Sequence, residues 1–338
     1  MNIQTSNSRI TWIDMAKGYG TILVIYAHLG RGALWTWIYS FHLPLFFFLS
    51  GYVFSPKYKF KDFFYKKLKS IFLPYFCLGI PIVLAKELHA LLIAGNFSIA
   101  DTLYHMNRLL LQQRFWTLWF IACLFCLNFL FYFLVKLCLN SIILLFISLT
   151  LPCIGLYYYR LGDTPLYWNA DVCVMAIPFF TLGYLYKVHA KQIDDFFMTK
   201  SILFFVLFAM INIISWRLSL DETGLGLEMF NSNYGKPLFT YVAAFTGIFC
   251  IVILSKWITI KPISYLGENS MIYYAWHQSI MIPIFKMVFS IVGIDVLTTY
   301  GTLGVVVYKC ICLIGIIIAL TFCNWCIKKL GLNFIIGK

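Results

Sequence analysis

The chain has 338 residues, 62% of them hydrophobic and 12% charged, with a mean hydropathy of +0.84 and a net charge of +13. Soluble domains carry roughly 25% charged and about 45–50% apolar residues, so the composition excludes a soluble globular protein and points to a chain that crosses the bilayer many times. The positive balance, which in a soluble chain would suggest nucleic acid, belongs here to membrane topology, and no nucleic-acid partner is expected.

The N-terminal stretch MNIQTSNSRITWID lacks a short apolar run followed by a small-residue cleavage site, so the first apolar segment is expected to stay as a transmembrane helix. A spanning helix needs about 20 mainly apolar residues. Ten segments qualify: 12–30, 36–54, 70–93, 115–135, 141–158, 170–187, 201–216, 237–255, 270–290 and 302–327. With the N-terminus in the cytoplasm, most Lys and Arg fall inside, including Lys57 to Lys69, Lys136, Lys187, Lys200, Lys256, Lys261 and Lys328–Lys329, while Asp221, Glu222 and Glu228 fall outside. The expected architecture is therefore an all-α polytopic membrane helix bundle of about ten transmembrane helices with both termini cytoplasmic. It forms a single membrane domain over 1–338 with no fused soluble domain. The longest connections, near 95–114 and 217–236, are expected outside. The eleven cysteines lie mostly in apolar segments; CLFC (Cys123, Cys126) and CNWC (Cys323, Cys326) read as small packing residues rather than a metal or redox site.

Chemistry must therefore sit among the helices, where polar side chains are costly and mark function. In the first helix, Lys17 and His28 are eleven positions apart, three turns plus about 20°, and Asp14, Thr21 and His28 fall within about 40° of one another. One face thus carries Asp14, Lys17, Thr21 and His28, with the lysine near the cytoplasmic boundary and the histidine about 16 Å further along. In YSFHLPLFFFLSGY (39–52), His42 opens the second helix with Pro44 just behind it, and Ser50-Gly51 suits close helix packing. Lys66, Lys67 and Lys69 lie where the third helix enters the membrane, a placement that suits a phosphate-bearing ligand arriving from the cytoplasm. In LGENSMIYYAWH (266–277), Ser270 and His277 share a face. The connection NSNYGKP offers Asn233 and Tyr234 as candidate sugar contacts.

Taken together, Asp14-x-x-Lys17-Gly18, His28, FHLPLFFFLSGY and the pair Lys67-Leu68-Lys69 resemble the membrane acyltransferase-3 family, and Lys17-x10-His28 with FHLPLFFFLSG resembles its fucose 4-O-acetylase-like branch. Looser matches are Trp119-Phe120, PFFTLGYLY at 178–186 and LGENSMIYYAWH. The resemblance implies a ten-helix enzyme that takes an acyl group, usually acetyl, from cytoplasmic acyl-CoA and passes it to a hydroxyl of a surface carbohydrate or its lipid-linked precursor. It implies His28 as the essential histidine, Lys17 as its basic partner, and Lys67 and Lys69 at the CoA end. Asp14 stands beside His28 as a candidate catalytic residue and Lys66 beside the donor-binding lysines. His42 and His277 are candidates for positioning the acceptor. Acetyl-CoA is expected as donor substrate, with no permanently bound cofactor and no metal, and the location as the cell membrane of a bacterium. A membrane transporter or flippase for a polar or lipid-linked substrate is the alternative that intramembrane ionisable residues leave open.

Overall fold

The computed structural model describes residues 9–95, 97–112, 114–138, 140–162, 165–291 and 301–338. All ten segments expected to be helical contain helix, with 36–54 in two pieces. The elements along the chain are α1 (Thr11–His28), α2 (Ala33–Tyr39), α3 (His42–Val53), α4 (Phe60–Lys67), α5 (Leu73–Ala94), α6 (Ile99–Leu111), α7 (Trp119–Leu137) and α8 (Ser141–Arg160). They continue with α9 (Ala170–Val188), α10 (Ala190–Thr199), α11 (Ser201–Ser219), α12 (Pro237–Trp257), α13 (Lys261–Glu268), α14 (Ser270–Trp276), α15 (Ile282–Ile291) and α16 (Gly301–Lys329). Between α11 and α12 lies a two-stranded antiparallel ribbon, β1 (Leu227–Glu228) with β2 (Asn233–Tyr234), pairing Leu227 with Tyr234.

Among the described residues, eight helices are long and apolar enough to cross a membrane. The two expected segments that fall short of that measure are α1 and the α14–α15 stretch, which carry Asp14, Lys17 and His28 in one case and Ser270 and His277 in the other. Their deficit in apolarity is the polar face itself. Large side chains on the outer helices face outward, as lipid contact requires: Ile142 is 79% and Ile202 74% exposed. The centre is held by α1, α3, α9 and α12, which pack on one another. A Cβ on Gly51 would lie 1.9 Å from the Phe180 carbonyl oxygen, and one on Gly183 would lie 1.9 Å from that of Phe48. Only glycine lets α3 and α9 approach backbone to backbone.

Two of the prolines inside helices explain how the bundle is cross-tied. Proline removes the bond to the carbonyl four residues before it and distorts that turn, which opens nearby carbonyls to neighbouring helices. Near Pro81 the Trp276 indole N–H donates to the Leu78 carbonyl at 3.0 Å; near Pro178 the Tyr241 hydroxyl donates to that of Met175 at 2.8 Å.

Local structure departs from the expectation in three places. The connection at 95–114 holds α6, capped by the Ser98 hydroxyl, which accepts from Asp101 N at 3.2 Å. The segment 36–54 is broken, α2 ending at Tyr39 and α3 restarting at His42. Two π-helical turns interrupt α-helix, Leu68–Phe72 after α4 and His277–Met281 after α14. Such turns are rare and fall frequently at functional sites.

Candidate active site

His28, His42 and His277 come from three helices and meet at one place. Each ring is fixed by a backbone carbonyl three or four residues before it, which for His42 belongs to the last turn of α2. His28 Nδ1 lies 2.9 Å from the Val24 carbonyl and His42 Nδ1 2.9 Å from that of Ile38. His277 Nδ1 lies 2.8 Å from the Tyr273 carbonyl and 2.9 Å from that of Tyr274. A carbonyl oxygen only accepts, so each Nδ1 must carry the proton, and in the neutral ring each Nε2 is the lone-pair nitrogen. The rest of the array then has one consistent direction. His28 Nδ1–H is shared between Val24 O and His277 Nε2, 3.1 Å away, and the Tyr39 hydroxyl donates to His28 Nε2 at 3.0 Å. His42 and His277 are 1% and 0% exposed, and the Tyr39 ring lies 4.6 Å from His42, centroid to centroid.

His28, Tyr39 and His42 open onto a cavity of 980 Å³ whose wall also includes Tyr274, while His277 lies behind His28 and outside that wall. Trp35, Trp116, Trp119 and Phe230 give it aromatic faces, and Arg31, Lys86, His89 and Glu228 supply charge and polarity. Its roof is built by backbone in rare conformations. Gln112, Arg114 and Trp116 have positive φ, and the Gln112 side chain anchors the turn by donating to the Tyr75 hydroxyl at 2.8 Å and accepting from Phe115 N at 2.6 Å. Arg114 pairs with Asp171 and donates to Ser232 Oγ at 2.8 Å, holding the β1–β2 loop, which contributes Glu228 to Asn231, over the cavity. Tyr274 and Thr117 tie the roof to α14, Thr117 Oγ1 donating to the Ala275 carbonyl at 3.0 Å.

The other expected residues lie elsewhere. Asp14 is fourteen residues before His28, about 21 Å along the helix, and is held by Arg9, which also bridges to Glu268 at 2.9 Å. Lys338 joins the same network through Glu268 at 3.0 Å. Asp14 is therefore an anchor of the basic end, out of reach of the His28 ring. Lys17 is half-buried one turn beyond Asp14. Lys66 donates to the Tyr58 hydroxyl at 3.1 Å, Lys67 lies 5.5 Å from the Phe63 ring centre, and Lys69 is exposed in the first π-turn. None of Lys17, Lys66, Lys67 or Lys69 lines the cavity. Between them and His28 the shared polar face of α1 is covered by packed side chains. Thr21 is 3% exposed, its hydroxyl donating to Lys17 O at 2.8 Å; Val24 is 2% exposed; and a Cβ on Gly20 would come within 3.0 Å of the Phe46 ring.

Asn233 and Tyr234 also lie outside the cavity wall. The Asn233 amide donates to Asp221 at 3.0 Å and its oxygen accepts from Gly235 N at 2.8 Å; the Tyr234 hydroxyl is buried against that of Tyr159 at 3.5 Å. Their polar atoms are engaged within the ribbon, and it is the neighbouring Glu228 to Asn231 that face the cavity. Asp221, outside the membrane, has its carboxyl pulled down to about 2 by hydrogen bonds from Thr223 and Asn233.

Fold and site together define a multi-pass integral membrane protein with a histidine-centred cavity at one end of its bundle. Residues 10–323 match the family model described as an acyltransferase domain, and the chain belongs to this membrane acyltransferase-3 family. No curated protein and no solved structure matches it.

Proposed function

We propose that the protein is an O-acyltransferase that takes an acyl group, acetyl in the simplest case, from acyl-CoA at the basic end and delivers it to a hydroxyl of a surface carbohydrate or its lipid-linked precursor. The basic end faces the cytoplasm, and the cavity faces the opposite side of the cell membrane. Family membership supports the acyl transfer. The likeness to the fucose 4-O-acetylase-like branch supports a carbohydrate acceptor, as does a cavity walled by tryptophans with charged groups at its rim.

The observation that carries the reading is the direction of the hydrogen bonds at His28. Acyl transfer to an alcohol needs a base for the hydroxyl proton and a means of passing it to the leaving group. The Val24 carbonyl leaves His28 with one lone pair, at Nε2, and the Tyr39 hydroxyl covers it. Tyr39 is thus the first group an acceptor meets. As the acceptor oxygen attacks the thioester carbonyl, its proton passes to the Tyr39 oxygen while the Tyr39 proton passes to His28 Nε2. The C–S bond then breaks, and His28 returns the proton to the thiolate. His277 Nε2, 3.1 Å from His28 Nδ1, steadies the imidazolium while it exists by accepting from it. The same nitrogen would serve if the acyl group paused on the imidazole, with Tyr39 turned aside. His42 presents a second lone pair to the same space and positions the acceptor. Lys17, Lys66, Lys67 and Lys69 hold the phosphates of the donor.

Purified protein in vesicles should consume acetyl-CoA in the presence of an acceptor glycan. His28→Ala should lower transfer by at least about 10²-fold, within the range of acid–base contributions, with unchanged membrane insertion and melting temperature. Wild-type transfer in that variant overturns the assignment.

A further inference from the structure

His28 borders a second cavity besides the one described above. It has a volume of 580 Å³ and lies between α5 and α15, with His89, Pro283, Lys286 and Met287 in its wall. Both cavities touch Met287 and His89, so together they run from His28 out through the seam between these two helices. Packing of this part of the bundle on α5 is carried by α14 and the π-turn His277–Met281. A π-turn inserts an extra residue and redirects the helix beyond it, so the seam widens where α15 begins.

The rims of this seam are apolar and outward-facing. Leu88 is 55% and Leu92 68% exposed on α5; Ile284 is 42% and Ile291 77% exposed on α15. In a membrane bundle such stripes meet lipid tails. At 100° per residue, Lys286 lies on the opposite side of α15 from Ile284, Val288 and Ile291, and His89 lies well over 60° from the centre of the Leu84, Leu88 and Leu92 stripe. Both groups stand in the wall of the second cavity, and both are exposed. His89 is sixteen residues beyond Leu73, about 24 Å along α5, and with a hydrocarbon core of about 30 Å it stands near headgroup depth.

We infer that the seam between α5 and α15 is a side entrance from the bilayer that seats a phosphate-linked glycolipid acceptor. Its hydrocarbon chain lies along Leu84, Leu88 and Ile284, on the bilayer-centre side of its phosphate, which sits between His89 and Lys286, and its sugar lies in the cavity at His28. This rests on the reading that a hydroxyl acceptor meets His28 and names the class of that acceptor. A water-soluble sugar would use the tryptophan-lined mouth alone and would give no role to an apolar slot with a lysine at its edge. Lysine is a compact point charge suited to phosphate, and the donor's own phosphates belong to the lysines at the other end of the bundle.

Photolabelling tests this without turnover. Full-length protein in nanodiscs is illuminated with a diazirine-bearing polyprenyl phosphate, and the labelled peptides are mapped. Label should concentrate on residues 84–92 and 282–291, exceed that from the matching phosphate-free polyprenol roughly tenfold, which corresponds to about 1.4 kcal/mol, and resist competition by inorganic phosphate. Met287→Trp, which fills the slot, should lower labelling to background, and Lys286→Ala should remove the preference for phosphate, both with unchanged melting temperature. Label spread over the lipid-facing surface regardless of phosphate, or undiminished by Met287→Trp, overturns the side entrance. Should the variants fail to fold, the wild-type map alone decides. Loss of labelling alongside normal acyl transfer sinks the entrance only, whereas normal transfer by His28→Ala sinks the catalytic reading.

Discussion

At His28 the decisive fact is what its two nitrogens can do. The Nδ1 proton is committed to Val24 O and His277 Nε2, so any proton collected from an acceptor enters at Nε2, past the Tyr39 hydroxyl. Tyr39→Phe removes only that oxygen and keeps the ring packed on Trp35 and His42. The expected result is a fall in kcat of roughly 10²-fold, the lower range for a proton-transfer group, with little change in KM for either substrate. His277→Gln should cost less, about tenfold, because Val24 O still holds the His28 Nδ1 proton. Steady-state kinetics of both variants, with kcat and KM resolved separately, checks the order; equal kcat for Tyr39→Phe and wild type removes the tyrosine from the proton path. The three histidines were legible in the sequence because an imidazole in an apolar run has few excuses. Tyr39 was not, since a tyrosine near a helix end is ordinary and its role depends on a ring eleven positions away. Nor could the sequence pair His28 with His277, 249 positions apart. Asp14 shared the right face, but it lies about 21 Å from His28 along the helix, where Arg9 holds it.

Among the elements, helix periodicity carried most of the fold: the segments at 141–158 and 201–216 are the α8 and α11 of the structure, a few residues longer at their ends. Composition could not show the interruptions. The break between α2 and α3 sets Tyr39 and His42 side by side, and the π-turn after α14 both presents His277 and redirects α15. Nothing in propensity distinguishes those turns from the α-helix around them. The ribbon between α11 and α12 is a different case, since one side chain gathers the turn before it. Asp221 accepts from Thr223 N at 2.8 Å, Leu225 N at 3.0 Å and the Asn233 amide at 3.0 Å. Its folded pKa, near 2, lies below the usual carboxylate value of about 3.9, so these bonds are fully present above pH 4 and are lost as pH falls toward 2. Amide exchange over 220–236 should accordingly rise between pH 4 and 2 in the wild type. Asp221→Asn should exchange faster at neutral pH and show no such transition, and because Glu228 to Asn231 line the cavity it should raise the acceptor KM several-fold. A pH-independent exchange profile in the wild type would show that the ribbon is held by something other than this carboxylate.

For the whole molecule, the cations expected to greet the donor and the histidine expected to use it lie at opposite ends of a filled bundle. Lys17, Lys67 and Lys69 stand on one side and His28 on the other, with Thr21, Val24 and Phe46 packed between. The polar face of α1 expected from the sequence is there, but a shared face does not make a channel when the neighbouring helix fills it. If the thioester travels along α1, the layer must part during the cycle, as lids and helices do in gated enzymes. The layer is built for that, since it is thin and contains a glycine and a threonine where larger residues would lock it. Thr21→Trp should hold it shut. We expect acyl-CoA binding, measured by calorimetry, to stay near wild type because the lysines lie on the near side. Transfer should fall by about 10²-fold or more, as expected when the reacting carbon no longer reaches its position. Photolabelling of the α5–α15 seam, beyond the layer, should be unchanged. Full transfer with tryptophan at position 21 would mean that the acyl group reaches His28 by another path, and the alignment of Lys17 beneath the histidine would then serve the anchoring of α1 to α13 rather than the delivery of the donor.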